Sequence, residues 1–147
     1  MSEDSSDIAS GTPNLIRDET GPQRLIGYLL DVGQADRRAR GWLDLDPRHL
    51  NRHGVLHGGI ATTLLDSVCG ATASLTVDAT GRVPFLTISL TTQFVAAARA
   101  GRVTATGRLI GGGRSLLYVE GILEDEGERL LATATGVFKR VPAEQKA

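Results

Sequence analysis

One short segment of the chain carries most of the residue types that could do chemistry. Residues 51–59 read Asn-Arg-His-Gly-Val-Leu-His-Gly-Gly, and an acidic residue, Asp66, follows them. If Gly58 and Gly59 begin a helix, a ligand can approach their unpaired backbone N–H groups, and the helix dipole favours negative charge there. The glycine pair therefore outlines an oxyanion site. A tight turn from loop to helix accounts for the same two glycines equally well.

Asp66 is the only charged side chain in residues 58–77. A carboxylate in a buried helix is costly, unless it faces a cleft and serves there as a base or a nucleophile. An isolated Asp on a helix also commonly faces solvent. Asp66 is thus a candidate catalytic carboxylate, and the pattern leaves the solvent-facing alternative open.

Other reactive side chains give weaker indications. His57 could orient a substrate, although a histidine beside a turn more often caps a backbone carbonyl, and we expect His49 and His53 to be solvated loop residues. Cys69 lies among small residues and is expected to pack in the core rather than to act as a nucleophile. The spacing of His, Cys and acidic residues predicts no metal site, and the chain has no GxSxG segment for a serine nucleophile.

A second glycine-rich segment, residues 111–113, precedes Arg114. It lacks the Walker signature, which excludes a P-loop, and it lies between two predicted strands, which is typical of a hairpin turn. The guanidinium of Arg114 could pair with a ligand phosphate at such an edge.

The elements that must position these residues follow from the hydrophobic pattern. Residues 58–77 contain no proline and repeat apolar side chains at three- and four-residue spacing, which predicts one long helix. Six other segments rich in apolar and β-branched residues are predicted strands, at residues 25–32, 38–45, 83–97, 102–110, 115–123 and 129–141. We expect an α+β fold in which an antiparallel sheet of about six strands wraps around the central helix.

The length of the chain suits one domain. With 147 residues, of which 41% are hydrophobic and 22% charged, the chain can bury a core of its own. Residues 1–21 are polar and contain few apolar anchors. We therefore expect a flexible N-terminal arm over residues 1–21, a folded domain over 22–141 and a frayed tail over 142–147.

Charge and composition narrow the range of partners. The net charge is −1 and the basic residues are scattered, which argues against a nucleic-acid partner. No apolar run reaches the roughly 20 residues of a membrane-spanning helix, so membrane insertion is not expected. The single cysteine and the absence of a leader pattern favour the cytoplasm. Because a sheet that covers one helix leaves apolar edges, we expect at least a dimer.

A family signature is recognisable in the residues Asn51, Gly54, Leu56, His57, Gly58, Gly59 and Asp66. Their identities and spacing resemble the PaaI-like branch of the hotdog-fold acyl-CoA thioesterases. The resemblance extends over residues 25–141 and includes the segments 86–90 and 113–116. It implies a hotdog fold and hydrolysis of an acyl-CoA thioester to free acid and CoA, with no cofactor because CoA is part of the substrate.

The resemblance also implies roles for individual residues. The backbone N–H of Gly58 would polarise the thioester carbonyl, with Asn51 helping to place the thioester and His57 supporting the loop. Asp66, contributed by the facing subunit, would activate water as a general base or attack as a nucleophile, and Thr87 would orient that water.

Further implications concern CoA and the assembly. The residues that would bind CoA are Gly59, Gly113, Arg114 and Ser115. The active sites would lie at a dimer interface, and two such dimers would form a homotetramer. The acyl group implied is an aryl, phenylacetyl or fatty acyl group.

Other functions fit the sequence less well. A hydratase or dehydratase of the same fold typically pairs a catalytic His with an acidic residue at a different spacing. A non-catalytic acyl-CoA-binding or sensing module is also conceivable, but Asp66 is present and the sequence shows no attached DNA-binding domain. Nothing in the sequence speaks for a purely structural interaction domain. Product analysis separates hydrolysis from hydration, because only hydrolysis releases a free thiol.

Overall fold

A computed structural model describes residues 11–142 and contains the predicted combination of one long helix with an antiparallel sheet. The helices are α1 (Gly21–Ile26) and α2 (Gly58–Ser74), and a 3-10 turn spans Pro47–His49. The strands are β1 (Leu15–Ile16), β2 (Leu29–Asp31), β3 (Arg40–Asp44), β4 (Phe85–Phe94), β5 (Arg102–Gly112), β6 (Leu116–Glu124) and β7 (Leu130–Arg140). The α+β architecture is confirmed, with a short extra strand beyond the six that were predicted.

The strands form one antiparallel sheet in the order β1-β2-β3-β5-β6-β7-β4. Consecutive hairpins join β5, β6 and β7, whereas β4, the first strand after α2, lies at the edge of the sheet beside β7. Helix α2 therefore carries the chain from β3 to the far edge of the sheet, where β4 lies. Strands β5, β6 and β7 then occupy the positions between β3 and β4. Helix α2 consequently lies across one face, in contact with β3, β4, β5, β6 and β7.

The side of α2 that faces the sheet forms the core. Leu64, Leu65, Val68 and Cys69 are all nearly or fully buried, and the alternating residues of β6 and β7 meet them from the sheet. The regular helix ends at Ser74 rather than at residue 77 as predicted, because the chain continues from there as hydrogen-bonded turns.

Two glycines of the sheet lie directly beneath α2. A Cβ atom on Gly107 would overlap the Thr72 hydroxyl and lie 3.0 Å from the carbonyl oxygen of Val68. A Cβ atom on Gly121 would lie 3.0 Å from the sulfur of Cys69. Helix and sheet thus approach each other almost at backbone distance, which explains why α2 is built from small residues.

The N-terminal segment differs from its prediction. Ile16 is buried, and the Gln23 amide donates hydrogen bonds to the backbone carbonyls of Ile16, at 2.8 Å, and of Tyr28, at 3.2 Å. Thr20 caps the N-terminus of α1. The hydrophobic pattern did not predict this helix, because six residues are too few to show a helical period. The flexible arm predicted for residues 1–21 is therefore wrong from residue 11 onward. Residues 1–10 and 143–147 lie outside the described part of the chain.

One edge of the sheet is long and apolar. Strand β4 pairs only with β7 among the described residues, so its other side carries free backbone N–H and C=O groups. Leu86, Ile88, Phe94 and Val95 on or beside this strand are more than half exposed. A long exposed apolar edge is the kind of surface that a soluble chain covers by association.

The close approach of α2 to the sheet gives a testable prediction about Gly107. Replacement of Gly107 by Ala should lower the free energy of unfolding by about 1 to 3 kcal/mol, because the new methyl group collides with Thr72 and the α2 backbone. Gly111→Ala on the same strand is the matched control, since a Cβ there meets nothing within 4 Å. Urea denaturation measures both, and equal stabilities of the two variants would contradict the packing described.

Candidate active site

The N-terminus of α2 presents a free backbone donor. His57 is the N-cap residue, and its Nδ1 accepts the N–H of Gly59 at 2.8 Å. The N–H of Gly58, at the first helical position, has no acceptor within the helix. The ring of Phe94 lies against Gly58, so that a Cβ there would be 3.3 Å from it. The two glycines therefore differ: the N–H of Gly59 is bound by His57, whereas the N–H of Gly58 can donate a hydrogen bond to a ligand.

Asn51 shapes the loop that leads to this helix. Its side-chain oxygen accepts the N–H groups of His53, at 2.9 Å, and of Val55, at 3.3 Å. Its own backbone N–H donates to the Val55 carbonyl at 2.8 Å. The oxygen is thus engaged within the loop, which leaves the side-chain NH₂ group of Asn51 to meet a ligand.

The expectation that His49 is a solvated loop residue is wrong. His49 is 1% exposed. Its Nδ1 accepts the N–H of Asp46 at 3.0 Å, and its Nε2 lies 2.8 Å from the carbonyl oxygen of Ile26, which can only accept. This pattern requires the neutral tautomer with the proton on Nε2. Because the His49 carbonyl also accepts the N–H of His57 at 2.9 Å, this histidine ties the active-site loop to the end of α1.

Asp66 and Thr87 form a second cluster. Asp66 is partly buried, and the Thr87 hydroxyl donates a hydrogen bond to its Oδ1 at 2.7 Å. A β-bulge falls between Thr87 and Ser89, and it breaks the alternation of side chains at this end of β4. The second carboxylate oxygen of Asp66 has no partner among the described residues, so it is available to a water molecule or a substrate.

These two clusters do not meet within one chain. Gly58 and Asp66 are eight residues apart on α2, which separates their backbones by about 12 Å along the helix axis. Strand β4 runs antiparallel to α2, since Thr87 contacts Asp66 whereas Phe94 contacts Gly58. We call residues 51–59 the donor half-site, and Asp66 with Thr87 the carboxylate half-site.

The carboxylate half-site opens into a cavity of about 510 Å³. Four residues of α2 line one side of it, namely Asp66, Ser67, Gly70 and Ala71, and β4 contributes Thr87. Another part of the wall comes from residues 16–30, of which Ile16, Glu19 and Thr20 belong to the segment predicted to be a flexible arm. Its volume lies within the range of small-molecule sites in proteins.

Four lining residues of this cavity were missed by the sequence reasoning, and they form two pairs. The Tyr28 hydroxyl lies 2.8 Å from the Ser67 hydroxyl, in a hydrogen bond that either atom could donate. At the edge of the cavity Arg82 forms a bidentate ion pair with Glu19, in which Nε donates to Oε1 at 2.9 Å. A single Tyr or Ser carries no pattern, so only the fold could bring these side chains to Asp66.

The glycine-rich segment is an exposed hairpin, as predicted. The N–H of Gly113 donates to the Leu116 carbonyl at 2.9 Å, and the backbone carbonyl of Ser115 accepts the N–H of Arg140 at 2.8 Å. Arg114 is exposed between them. None of these three residues lines the cavity beside Asp66. The structure therefore does not join this hairpin to either half-site within one chain.

Cys69 is unsuited to nucleophilic chemistry. Its side chain is fully buried between α2 and the sheet. Burial, assisted by the nearby charges of Asp66 and Glu120, raises the pKa of its thiol to about 12. The thiol therefore stays protonated near neutral pH. Within residues 11–142, no three His, Cys, Asp or Glu side chains cluster in a way that could hold a metal ion. No helix in that range is long and apolar enough to cross a membrane.

Comparison with known proteins places the chain in context. Residues 53–132 match the model of the thioesterase superfamily. The Pseudomonas aeruginosa protein named "Putative esterase PA0474" is 30% identical over 115 residues, which are 78% of this chain and 84% of that relative.

Solved structures show the same fold. A mutant of thioesterase PA1618 from Pseudomonas aeruginosa is 25% identical with a TM-score of 0.72, covering 81% of this chain and 84% of that one. The E. coli PaaI protein from the phenylacetic acid degradation operon is 18% identical with a TM-score of 0.72, covering 85% and 87%. The shared fold spans most of each chain.

The anchoring role of His49 can be tested. His49→Ala should lower the free energy of unfolding by about 2 to 3 kcal/mol, because it removes a buried side chain together with its hydrogen bonds to the Ile26 carbonyl and the Asp46 N–H. His53→Ala, at an exposed histidine of the neighbouring loop, is the matched control and should change it by less than about 0.5 kcal/mol. Chemical denaturation of both variants measures the difference. A loss of similar size in both would show that His49 is no anchor.

Proposed function

The chain belongs to the thioesterase superfamily and is a thioester-hydrolysing enzyme, and we propose that its substrates are acyl-CoA thioesters. The family match confirms the hotdog-fold thioesterase assignment that residues 51–59 and Asp66 suggested, and the E. coli PaaI protein shares the fold. The observation that carries the proposal is the carboxylate of Asp66, held by Thr87 at the mouth of a cavity. A hydrolase that activates water with a carboxylate needs this group beside a space that admits the acyl group.

The proposed reaction assigns one task to each half-site. The N–H of Gly58 donates to the thioester carbonyl oxygen and stabilises the negative charge that develops on it, and the NH₂ group of Asn51 helps to place the thioester. Asp66 takes a proton from water while the water oxygen attacks the carbonyl carbon. The carbon–sulfur bond then breaks, and the CoA thiolate leaves and takes up a proton. The products are a free acid and CoA.

Thr87 supports this use of Asp66. Its hydroxyl donates a hydrogen bond to Oδ1 of the carboxylate, so a lone pair of this hydroxyl and the free Oδ2 can each accept a hydrogen bond from one water molecule. Direct attack of Asp66 on the carbonyl carbon is the alternative route, through an anhydride that water then hydrolyses. Single turnover in ¹⁸O-labelled water distinguishes them, because the anhydride route can leave the label in the Asp66 side chain.

The separation of the half-sites supports a homodimer with shared active sites. A two-fold axis near the middle of the exposed β4 edge would extend the sheet across both chains. Because β4 runs antiparallel to α2, the same axis would bring the Gly58 end of one helix towards the Asp66 region of the other. We propose two such active sites in each dimer, and two dimers in a tetramer.

The remaining assignments belong to the same proposal. CoA is part of the substrate, so the reaction needs no cofactor. Arg114, on the exposed hairpin with Gly113 and Ser115, is free to meet a CoA phosphate, and Gly59 gives the ligand close access to the helix end. The folded domain extends over residues 22–141 together with the packed segment from residue 11. A cytoplasmic location fits a substrate that carries CoA.

The central prediction concerns Asp66. Asp66→Ala should lower the rate of CoA release by at least about a hundredfold, because the group that activates water is removed. The variant should stay folded, since Ala favours a helix more than Asp does. The measurement is free-thiol release from a panel of aryl-, phenylacetyl- and fatty acyl-CoA thioesters.

The matched control is Asp44→Ala, at an exposed carboxylate of β3 outside the cavity. It should retain the wild-type rate. If wild type releases no thiol from any thioester, an acyl-CoA-binding or hydratase function takes the place of hydrolysis. If Asp66→Ala keeps its rate, the carboxylate half-site is not the catalytic group.

A second prediction isolates the backbone donor of the other half-site. Gly58→Pro removes the N–H and adds a ring, at a first helical position that favours proline and after a residue whose extended backbone suits one. We expect a loss of about a hundredfold or more in kcat. Gly58→Ala is the control, because it adds the same contact with Phe94 but keeps the donor.

Mixing the two inactive variants tests the shared site. A dimer with one Asp66→Ala chain and one Gly58→Pro chain, isolated through two different affinity tags, retains one intact site if the half-sites come from different chains. Its rate should then recover to about half of the wild-type rate. If both half-sites came from the same chain, every site in the mixed dimer would lack one group, and no activity would return.

A further inference from the structure

Beyond the half-sites, the cavity beside Asp66 holds a pair of hydroxyls that the reaction does not use. Tyr28 is almost buried, and it reaches from the start of β2 to Ser67 on α2, the residue next to Asp66. Both side chains line the same cavity as Asp66 and Thr87. The pair therefore faces the space that an acyl group would enter.

The single hydrogen bond between Tyr28 and Ser67 leaves part of the hydrogen-bonding capacity of both hydroxyls unused. One O–H donates to the other oxygen at 2.8 Å, so one proton and several lone pairs remain unused. Neither hydroxyl has a second hydrogen-bond partner among the described residues. A free hydroxyl proton in a nearly buried wall gains from a partner there, and a hydrocarbon cannot provide one.

The surroundings restrict what that partner can be. The walls beside the pair are apolar, with Leu30, Phe85 and Phe138 among them, and they suit a hydrocarbon skeleton. Apart from Asp66 and Thr87, the other polar side chains in this wall have partners within the chain: Gln23 holds the backbone of Ile16 and Tyr28, and Arg82 holds Glu19. The hydroxyl oxygen of Thr20, an exposed residue, accepts the N–H of Gln23. Tyr28 and Ser67 are thus the hydrogen-bonding groups left for the body of an acyl chain.

We propose that Tyr28 and Ser67 determine specificity, by selecting acyl groups with a hydroxyl or similar hydrogen-bonding substituent over the plain hydrocarbon of the same skeleton. This inference rests on the proposed function, because it takes the cavity as the acyl site. A substituent at the matching position on the acyl group accepts a hydrogen bond from the unused O–H of the pair or donates one to a lone pair. The unsubstituted acyl group covers the pair and leaves it unsatisfied.

A purely structural role for the same pair predicts something different. A hydrogen bond that only ties β2 to α2 would, when removed, weaken the protein or slow all substrates alike. Selection by the pair changes the ratio between two substrates that differ only in the hydroxyl. The ratio is therefore the measurement that separates the two roles.

The experiment compares matched thioesters in the full-length protein. The pairs are hexanoyl-CoA with ω-hydroxyhexanoyl-CoA, and phenylacetyl-CoA with its meta- and para-hydroxy derivatives. In wild type, at least one hydroxylated member should exceed its parent in kcat/KM by about fivefold, as expected for one neutral hydrogen bond. Tyr28→Phe and Ser67→Ala should each bring that ratio close to one. Tyr118→Phe, at an exposed tyrosine of β6 outside the cavity, should leave it unchanged.

Binding provides a readout that does not depend on turnover. Calorimetric titration of the Asp66→Ala protein with the same pairs should show the same preference, and adding Tyr28→Phe should abolish it. If no hydroxylated member is preferred in either assay, or if Tyr28→Phe leaves the preference intact, the inference is wrong even when CoA release proceeds. If wild type releases no CoA while the binding preference follows Tyr28, the proposed hydrolysis fails and the inference stands.

Discussion

The close approach of helix α2 to the sheet is the constraint on which the rest of this structure depends. There is no room for a Cβ at Gly107 or Gly121 beneath the helix, and the α2 residues that pack on these glycines, Thr72 and Cys69, are small. A helix held this closely cannot move relative to its strands. The hydrogen bond between Asp66 and Thr87 joins the two elements on this rigid base, so a single carboxylate is fixed at the mouth of a cavity.

The same rigidity keeps the two half-sites of one chain apart. Gly58 and Asp66 are fixed about 12 Å apart along the axis of one straight helix. Bringing them together within a chain would require the helix to break or to bend sharply, and α2 is continuous from Gly58 to Ser74 and contains no proline. The exposed edge of β4 offers the simpler solution, since a second copy could supply the missing group.

Much of this could be predicted from the sequence, and the failures have physical causes. The long helix, the antiparallel strands and the segment around His57 follow from strong local patterns in residue type and spacing. Helix α1 and the packed residues after position 11 were missed because their stability comes from contacts with distant residues, such as the pairing of Ile16 with Leu30. His49 was misjudged for the same reason, since only the fold brings Ile26 to its ring. Tyr28 and Ser67 are far apart in the sequence, and no local pattern predicts their contact.

The origin of the cavity walls has a consequence for how such enzymes diversify. One part of the wall belongs to α2 and β4, which position the carboxylate of Asp66, whereas another part comes from residues 16–30, from β1 to β2. That segment lies at the margin of the sheet and carries none of the proposed catalytic groups. Substitutions there can reshape the space for the acyl group while the geometry of Asp66 stays intact. Selection can therefore change which molecule the protein accepts and leave its reaction unaltered.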